Sequence, residues 1–326
     1  MHLSSRPAVS GDFLDFFAAC YHDARANEGL REAVRHEWDF LLRSPATLSL
    51  VVEDLNRPSS SRLVGCAQLA FVTRAFVRLA REEPEPWINA RLTGKPLDGV
   101  KFLLTHAQVA SANATEGLYA LFTRWHRADR MLSPEEMLDV SDFMHGAFQA
   151  YAKGYHFQEM LIEATGDVAR DKGLRAGFYL RCDYADYYRD HPPLPPPDVR
   201  PFLLGITRAE AVAEEGGAMA HYFVHRAPRL GLTPGQQELL ELCLRQPELS
   251  DEALAAKMGV QVHRVKNLLR ATYGRISDVA FDLLPEMGDG ARGSEKKRPL
   301  LEYLREHPEE LRPYRGKPSA EACEKD

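Results

Sequence analysis

The run DHPPLPPPDVRP, from Asp190 to Pro201, constrains this chain more than any other stretch. Each proline fixes φ and removes an amide donor, so neither a helix nor a central strand runs through it. It reads as a semi-rigid, extended linker. A second break starts near Met287, where GDGARGSEKKRP has loop composition. The chain of 326 residues exceeds one typical domain. The two breaks divide it into a first domain over 1–190, a Pro-rich linker and connecting helix over 191–228, a helical module over 229–286 and a flexible tail over 287–326, in which LLEYLREHPEEL is expected to form one short helix before the end frays.

Before the linker, helical and strand patterns alternate. DFLDFFAACYHDA and LREAVRHEWDFLLRS have apolar residues at helical spacing. LSLVVEDL and RLVGCAQLAFVT read as an antiparallel hairpin across the polar loop NRPSSS. A helix-leaning insert follows, from about Phe76 to Glu116, and then strand GLYALFTRW. SPEEMLDVSDFMHGAFQAYAKGY opens with Ser133 as N-cap, Pro134 at the first position and Glu136 completing a capping box, and runs as a long helix to Gly154. Strand FQEMLIEAT, short helix DVARDKG and strand AGFYLRCDY complete a domain of α+β class with a mixed sheet. TRAEAVAEEGGAMAHYFVHRA, weakened by Gly216 and Gly217, is the connecting helix.

A separate all-α module comes next. Thr233, Pro234 and Gln236 cap one helix; Ser250 caps a second, which Gly259 ends in a left-handed turn. The third helix begins near Val262. From Gln261 to Ile276 the chain holds Arg264, Lys266, Arg270 and Arg275 and no acid, although its formal net charge is -6. A nucleic-acid surface in such a chain has to be local. A helix–turn–helix with a basic second helix suits the major groove, where arginine and asparagine bond base edges and lysine neutralises phosphate. The expected DNA-facing residues are His263, Arg264, Lys266, Asn267, Arg270 and Arg275, and the expected partner is double-stranded DNA.

The motifs LTP…E…L, LSDEALAAKMGV and VKNLLRATYGRI, in that order over Leu232–Val279, resemble the LuxR-type (NarL-type) DNA-binding domain. Gln261, Arg264 and Leu268 depart from that family's usual residues, and RQPELS is slightly longer than its usual turn. The resemblance implies a DNA-binding homodimer, with SDVAFDLL as a fourth, dimerising helix.

The order of elements in residues 1–190 resembles the GNAT acyltransferase fold, with VARDKGLRAGFYLRCDY similar to its late segment. That resemblance implies coenzyme A pyrophosphate held on a glycine-rich loop before the long helix, yet RWHRADRMLSPEE there contains no glycine. It also implies a tyrosine general acid where Ala169 stands. Both departures favour a sensory domain that binds a small-molecule or acyl-CoA effector, with no catalytic residue and no cofactor.

Other signals are sparse. Tyr119, Phe122 and Trp125 are candidate lining for a ligand cavity between sheet and helix. Asp142 and His145, three apart on one helix, lack further ligands for a metal site. No HExxH, GxSxG or Walker sequence occurs. Five scattered cysteines form no CxxC pair. Neither a signal peptide nor a membrane span is expected, which points to a reducing, bacterial-type cytoplasm. The reading that follows is a sequence-specific DNA-binding transcription regulator with a non-catalytic N-terminal sensor. The alternatives are a GNAT-type N-acetyltransferase carrying a helix–turn–helix targeting domain, and a protein-interaction adaptor.

Overall fold

The computed structural model describes residues 1–20, 28–94, 101–213, 217, 219–279 and 293–312. In chain order the elements are β1 (Leu3–Pro7), α1 (Phe13–Cys20), α2 (Glu28–Arg43), β2 (Thr47–Asp54), β3 (Leu63–Val72), α3 (Arg74–Glu82), α4 (Ile88–Thr93), α5 (His106–Ala114), β4 (Leu118–Arg127), α6 (Pro134–Ala152), β5 (Phe157–Thr165), α7 (Asp167–Arg175), β6 (Tyr179–Cys182), α8 (Ala185–Asp190), β7 (Pro201–Thr207) and α9 (Arg208–Ala213). The helices α10 (Pro234–Arg245), α11 (Asp251–Met258), α12 (Val262–Val279) and α13 (Gly293–Glu306) follow. The chain forms two compact units: residues 1–109, 117–152 and 157–223 make the first, and residues 110–116, 153–156 and 224 onward make the second.

The first unit is built on a mixed sheet of seven described strands, ordered β1-β2-β3-β4-β5-β7-β6. Strands β1 to β4 pair antiparallel, β4 and β5 parallel, and β7 runs antiparallel to both β5 and β6. Hairpin, strand, long helix, strand, short helix and strand therefore come in the expected order. One face of the sheet carries α1 and α2, where Phe16 stacks on Trp38, and the core of α3 and α4, where Phe76, Ile88 and Leu92 pack with Leu121 and Leu161. The other face carries α6, whose Phe148 packs on Phe122 and Trp125. The capping box at the head of α6 forms as the sequence predicts: the Ser133 amide donates to Glu136 at 2.7 Å, and the Glu136 amide donates to Ser133 Oγ at 3.2 Å.

Three expectations are corrected. The proline run is the β6–β7 connection and not an interdomain linker, because PFLLGIT returns to the sheet as β7, buried from Pro201 to Ile206. A proline at the first residue of a strand costs one ladder bond and does not forbid the strand. Residues 191–228 thus hold a strand, α9 and a 3-10 turn at Ala220–Phe223 in place of a long connecting helix; Gly216 lies outside the described residues. β1, an edge strand containing Pro7, was not expected.

The second unit has a core of its own. Leu230, Leu239, Leu240 and Cys243 pack with Leu254, Ala255, Val265, Leu268 and Ile276, and with Leu300, Leu301 and Leu304 of α13. The short helix expected in the tail forms as α13, and its Leu300, Leu301 and Leu304 are buried in this core, which a freely flexible tail would not allow; residues beyond 312 lie outside the described residues. Gly259 adopts φ 65° and caps α11 as predicted. Residues 277–279 continue α12 instead of opening a fourth helix, and the rest of SDVAFDLL lies outside the described residues.

Candidate active site

The parallel pair β4–β5 makes five residue pairs and stops at Phe122 and Ile162. Beyond that point β4 runs on to Arg127 paired with β3, and β5 runs on to Thr165 paired with β7. The facing edges of the two strands part and open a fork at their carboxyl ends. In open sheets the outside of the carboxyl ends is where ligands bind, because backbone groups and loop ends face a crevice there. A bulge contributes to the divergence. Arg124 pairs with Gln68 and Phe122 with Leu69, so Thr123 is extra on β4.

α4 bridges the fork. Asn89 Nδ2 donates to the Thr123 carbonyl of β4 at 2.9 Å, while the amides of Trp87 and Ile88 donate to the Glu163 carboxylate of β5 at 2.9 and 3.1 Å. The Tyr184 hydroxyl, from the segment after β6, donates to the same carboxylate at 2.8 Å. Glu163 Oε1 takes the bonds from Tyr184 and Trp87, and Oε2 takes the one from Ile88. Burial pushes the Glu163 carboxyl up to about 7, against the opposing pull of the Tyr184, Trp87 and Ile88 donors. Burial and the Glu163 charge in turn push the Tyr184 hydroxyl far above its ordinary range. A carboxyl that changes charge near neutral pH at a fork in the sheet is suited to proton transfer.

The backbone around Glu163 is held in an unusual state. Among the described non-glycine residues, the two with positive φ are Trp87 at 66° and Tyr184 at 56°. Left-handed backbone costs a bulky residue free energy and persists where surrounding structure over-determines it, often at functional sites. Both of these residues bond Glu163. Asn89 Oδ1 is buried and has no partner among the described residues.

On the face of α1 and α2, a buried polar group lies under the start of the fork. Arg124 pairs with Glu37 at 3.0 Å and lies over the rings of Phe16 and Trp38. Gln68 donates to Ser49 at 2.9 Å and accepts from the Thr123 hydroxyl at 2.9 Å.

The head of α6 is closed by its own side chains. The Glu136 carboxylate accepts from the Ser133 amide at 2.7 Å, and Arg57 pairs with it at 3.1 Å. These contacts, the Ser133 amide first, hold the Glu136 carboxyl below its usual range. Glu135 adds a second acid in the first turn.

The predicted site residues fall in three places. Phe122 and Trp125 share the α6 face next to the fork, their rings 5.7 Å apart. The bulge at Thr123 makes this possible, since it resets the alternation of faces. Tyr119 packs on the opposite face with the α3–α4 core, so the three do not line one cavity. His145 meets Trp125 and Tyr222 edge to face, and the described residues contain no cluster able to hold a metal. On α12, His263, Arg264, Lys266, Asn267 and Arg270 are exposed. Arg275 turns inward and donates to the Leu230 carbonyl, which corrects its placement on a ligand-facing surface. The sequence reading missed Glu163, Asn89, Trp87 and Tyr184. One signal was present: in FQEMLIEAT the acids Glu159 and Glu163 share a strand face with Leu161, which is fully buried.

No family model matches the sequence, and no curated protein matches it. Among solved structures, the C-terminal condensation domain of Ebony, in complex with beta-alanyl-dopamine, aligns with 64% of this chain and 99% of its own at 14% identity and a TM-score of 0.37. The spermidine/spermine N-acetyltransferase of Vibrio cholerae aligns with 65% of this chain and 98% of its own at 9% identity and a TM-score of 0.34. FeeM, an N-acyl amino acid synthase from uncultured soil microbes, aligns with 68% and 97% at 12% identity and a TM-score of 0.33. All three alignments lie at 14% identity or below and at TM-scores of 0.37 or below. The reading of the chain as a LuxR-family transcription regulator with a non-catalytic sensor is not carried further: no family model and no curated relative supports a LuxR-type module or DNA binding. Among the described residues, no helix is long and apolar enough to cross a membrane.

Proposed function

We propose that the chain is an N-acyltransferase of the GNAT type, moving an acyl group from a thioester to an amine. The observation that supports this reading is the fork between β4 and β5. An acyl thioester on a pantetheine arm carries two amide groups in an extended chain, and the parted strand edges offer backbone partners at matching spacing. The thioester carbonyl then lies where the fork begins, between the Glu163 face and the Phe122–Trp125 face. The ligand-lining role of Phe122 and Trp125 is retained in this proposal, and that of Tyr119 is dropped.

At such a site the chain binds the donor arm along the strand edges, excludes water with the surrounding aromatic groups and manages a proton near Glu163. In this reading the exposed cations of α12 have no catalytic task. The test is thiol release from acetyl-coenzyme A, or from an acyl-pantetheine, in the presence of a panel of amines. The expected result is release that depends on an amine and yields the matching amide. Release that is independent of every amine would contradict the reading.

A further inference from the structure

β3 and β4 are antiparallel neighbours, and such strands need only a short turn between them, yet residues 73–117 intervene. That insert lays α4 over the fork and pins its backbone there. Ile88 and Leu92 are buried with Leu121 and Leu161, and Glu163 holds the Trp87 and Ile88 amides at 2.9 and 3.1 Å. The Thr93 hydroxyl donates to the Asn89 carbonyl at 3.1 Å. With the helix so anchored, the group left to move is the Asn89 side chain, which is only partly buried.

That side chain lies on an edge group of the fork. Thr123 is the first residue of β4 past the last pair with β5, and the bulge drops it from the register with β3. Its carbonyl is turned to α4, where Asn89 Nδ2 donates to it at 2.9 Å. The bond is made at the expense of the other half of the amide, because Oδ1 is buried with no partner among the described residues. Leaving such an acceptor unpaired costs about as much as one hydrogen bond returns. Two settings of the side chain are therefore close in free energy. In one, Nδ2 caps Thr123; in the other, the amide turns outward, Oδ1 meets water and the carbonyl is open.

We propose that Asn89 is a gate on the donor edge of the fork: its side-chain amide stands where an amide N–H of the pantetheine arm would bond the Thr123 carbonyl, and it swings away when the arm enters. The assignment rests on the acyl-transfer reading above and deepens it by naming the edge group for which the donor competes. The gate also accounts for the insert, which carries an amide to the fork that a short β3–β4 turn could not.

Two measurements on the full chain test the proposal. Calorimetric titration with acetyl-pantetheine, in the absence of any amine, compares wild type with Asn89→Ala. Deleting the capping amide leaves the carbonyl open, so the variant is expected to bind about three- to tenfold more tightly, the equivalent of one net hydrogen bond. A side chain that held the arm, or that only held the fold, would give the reverse, and equal or weaker binding by Asn89→Ala overturns the gate. Asn89→Asp, which has the shape of asparagine but sets an acceptor against the carbonyl, meets the same criterion should Asn89→Ala not fold. Nuclear magnetic resonance of protein labelled at the asparagine side-chain nitrogen provides the second measurement. The Asn89 signal, assigned by its loss in the variants, is expected to exchange its protons with water about tenfold faster or more once acetyl-pantetheine saturates the site. Unchanged exchange at saturation overturns the gate and leaves the donor reading standing. If neither wild type nor variant binds acetyl-pantetheine, the donor reading fails and the gate fails with it.

Discussion

At the scale of single residues, Glu163 connects chemistry to stability. Burial raises its carboxyl to about 7, so the folded chain binds its proton more tightly than the unfolded chain does. The cost is absent below the ordinary carboxylate range, grows as pH rises and is complete above about pH 7, where ionisation costs the fold roughly 3 kcal/mol. Glu163→Gln removes that cost and loses part of the bonding to Ile88, worth about 1 kcal/mol. The variant should therefore be more stable than wild type by about 1–2 kcal/mol at pH 8, with the gain gone by pH 5. Denaturant unfolding at the two pH values measures this, and an equal difference at both would show that Glu163 does not titrate in this range. Arg124 has the opposite character. Its side chain is almost fully buried against Glu37, so Arg124→Met leaves a desolvated carboxylate without its partner and should cost about 3 kcal/mol. Loss of less than about 1 kcal/mol would mean that Glu37 is solvated through another route.

Single elements explain which parts of the fold could be read in advance. The capping boxes at Ser133–Glu136 and Thr233–Gln236 and the left-handed Gly259 are set within four residues, and all three form as their local sequence indicates. The site is assembled differently. Trp87 and Glu163 are 76 residues apart, and their bond exists because α4 is laid across two strands. The bulge at Thr123 likewise arises from pairing with β3, which no local pattern on β4 encodes. β7 was hidden because a central strand reads as a continuous apolar run, and prolines masked its start. The missing glycines before α6 were visible, and the structure adds that Glu136 takes the Ser133 amide and, with Glu135, sets two acids in the first turn. Phosphate groups of a donor therefore gain little from this helix terminus. Acetyl-pantetheine and acetyl-coenzyme A should accordingly give kcat/KM values within about tenfold of each other. A preference for coenzyme A of several hundredfold would show that the nucleotide is held elsewhere on the chain. Gly166, at φ 86°, begins α7 against the Asp198 carbonyl. Gly166→Ala should lower stability by about 1–3 kcal/mol by forcing a side chain into that space and that backbone.

At the scale of the whole molecule, the helical unit has a hydrophobic core separate from the clusters of the sheet unit. The cluster from Leu230 to Leu311 draws all its buried members from residues after 224, so that segment contains what it needs to bury its own helices. The helical unit and the sheet unit are thus separable problems, and the chemistry proposed here belongs to the sheet. The central proposal is that the fork of β4 and β5 transfers an acyl group to an amine. Mass spectrometry of the full chain incubated with acetyl-coenzyme A, acetyl-pantetheine and a mixture of primary amines tests that claim most directly. The account predicts acetylated amine accumulating with turnover, accompanied by stoichiometric thiol and strongly reduced in Glu163→Gln. No acetylated amine above the uncatalysed background from either donor would contradict it.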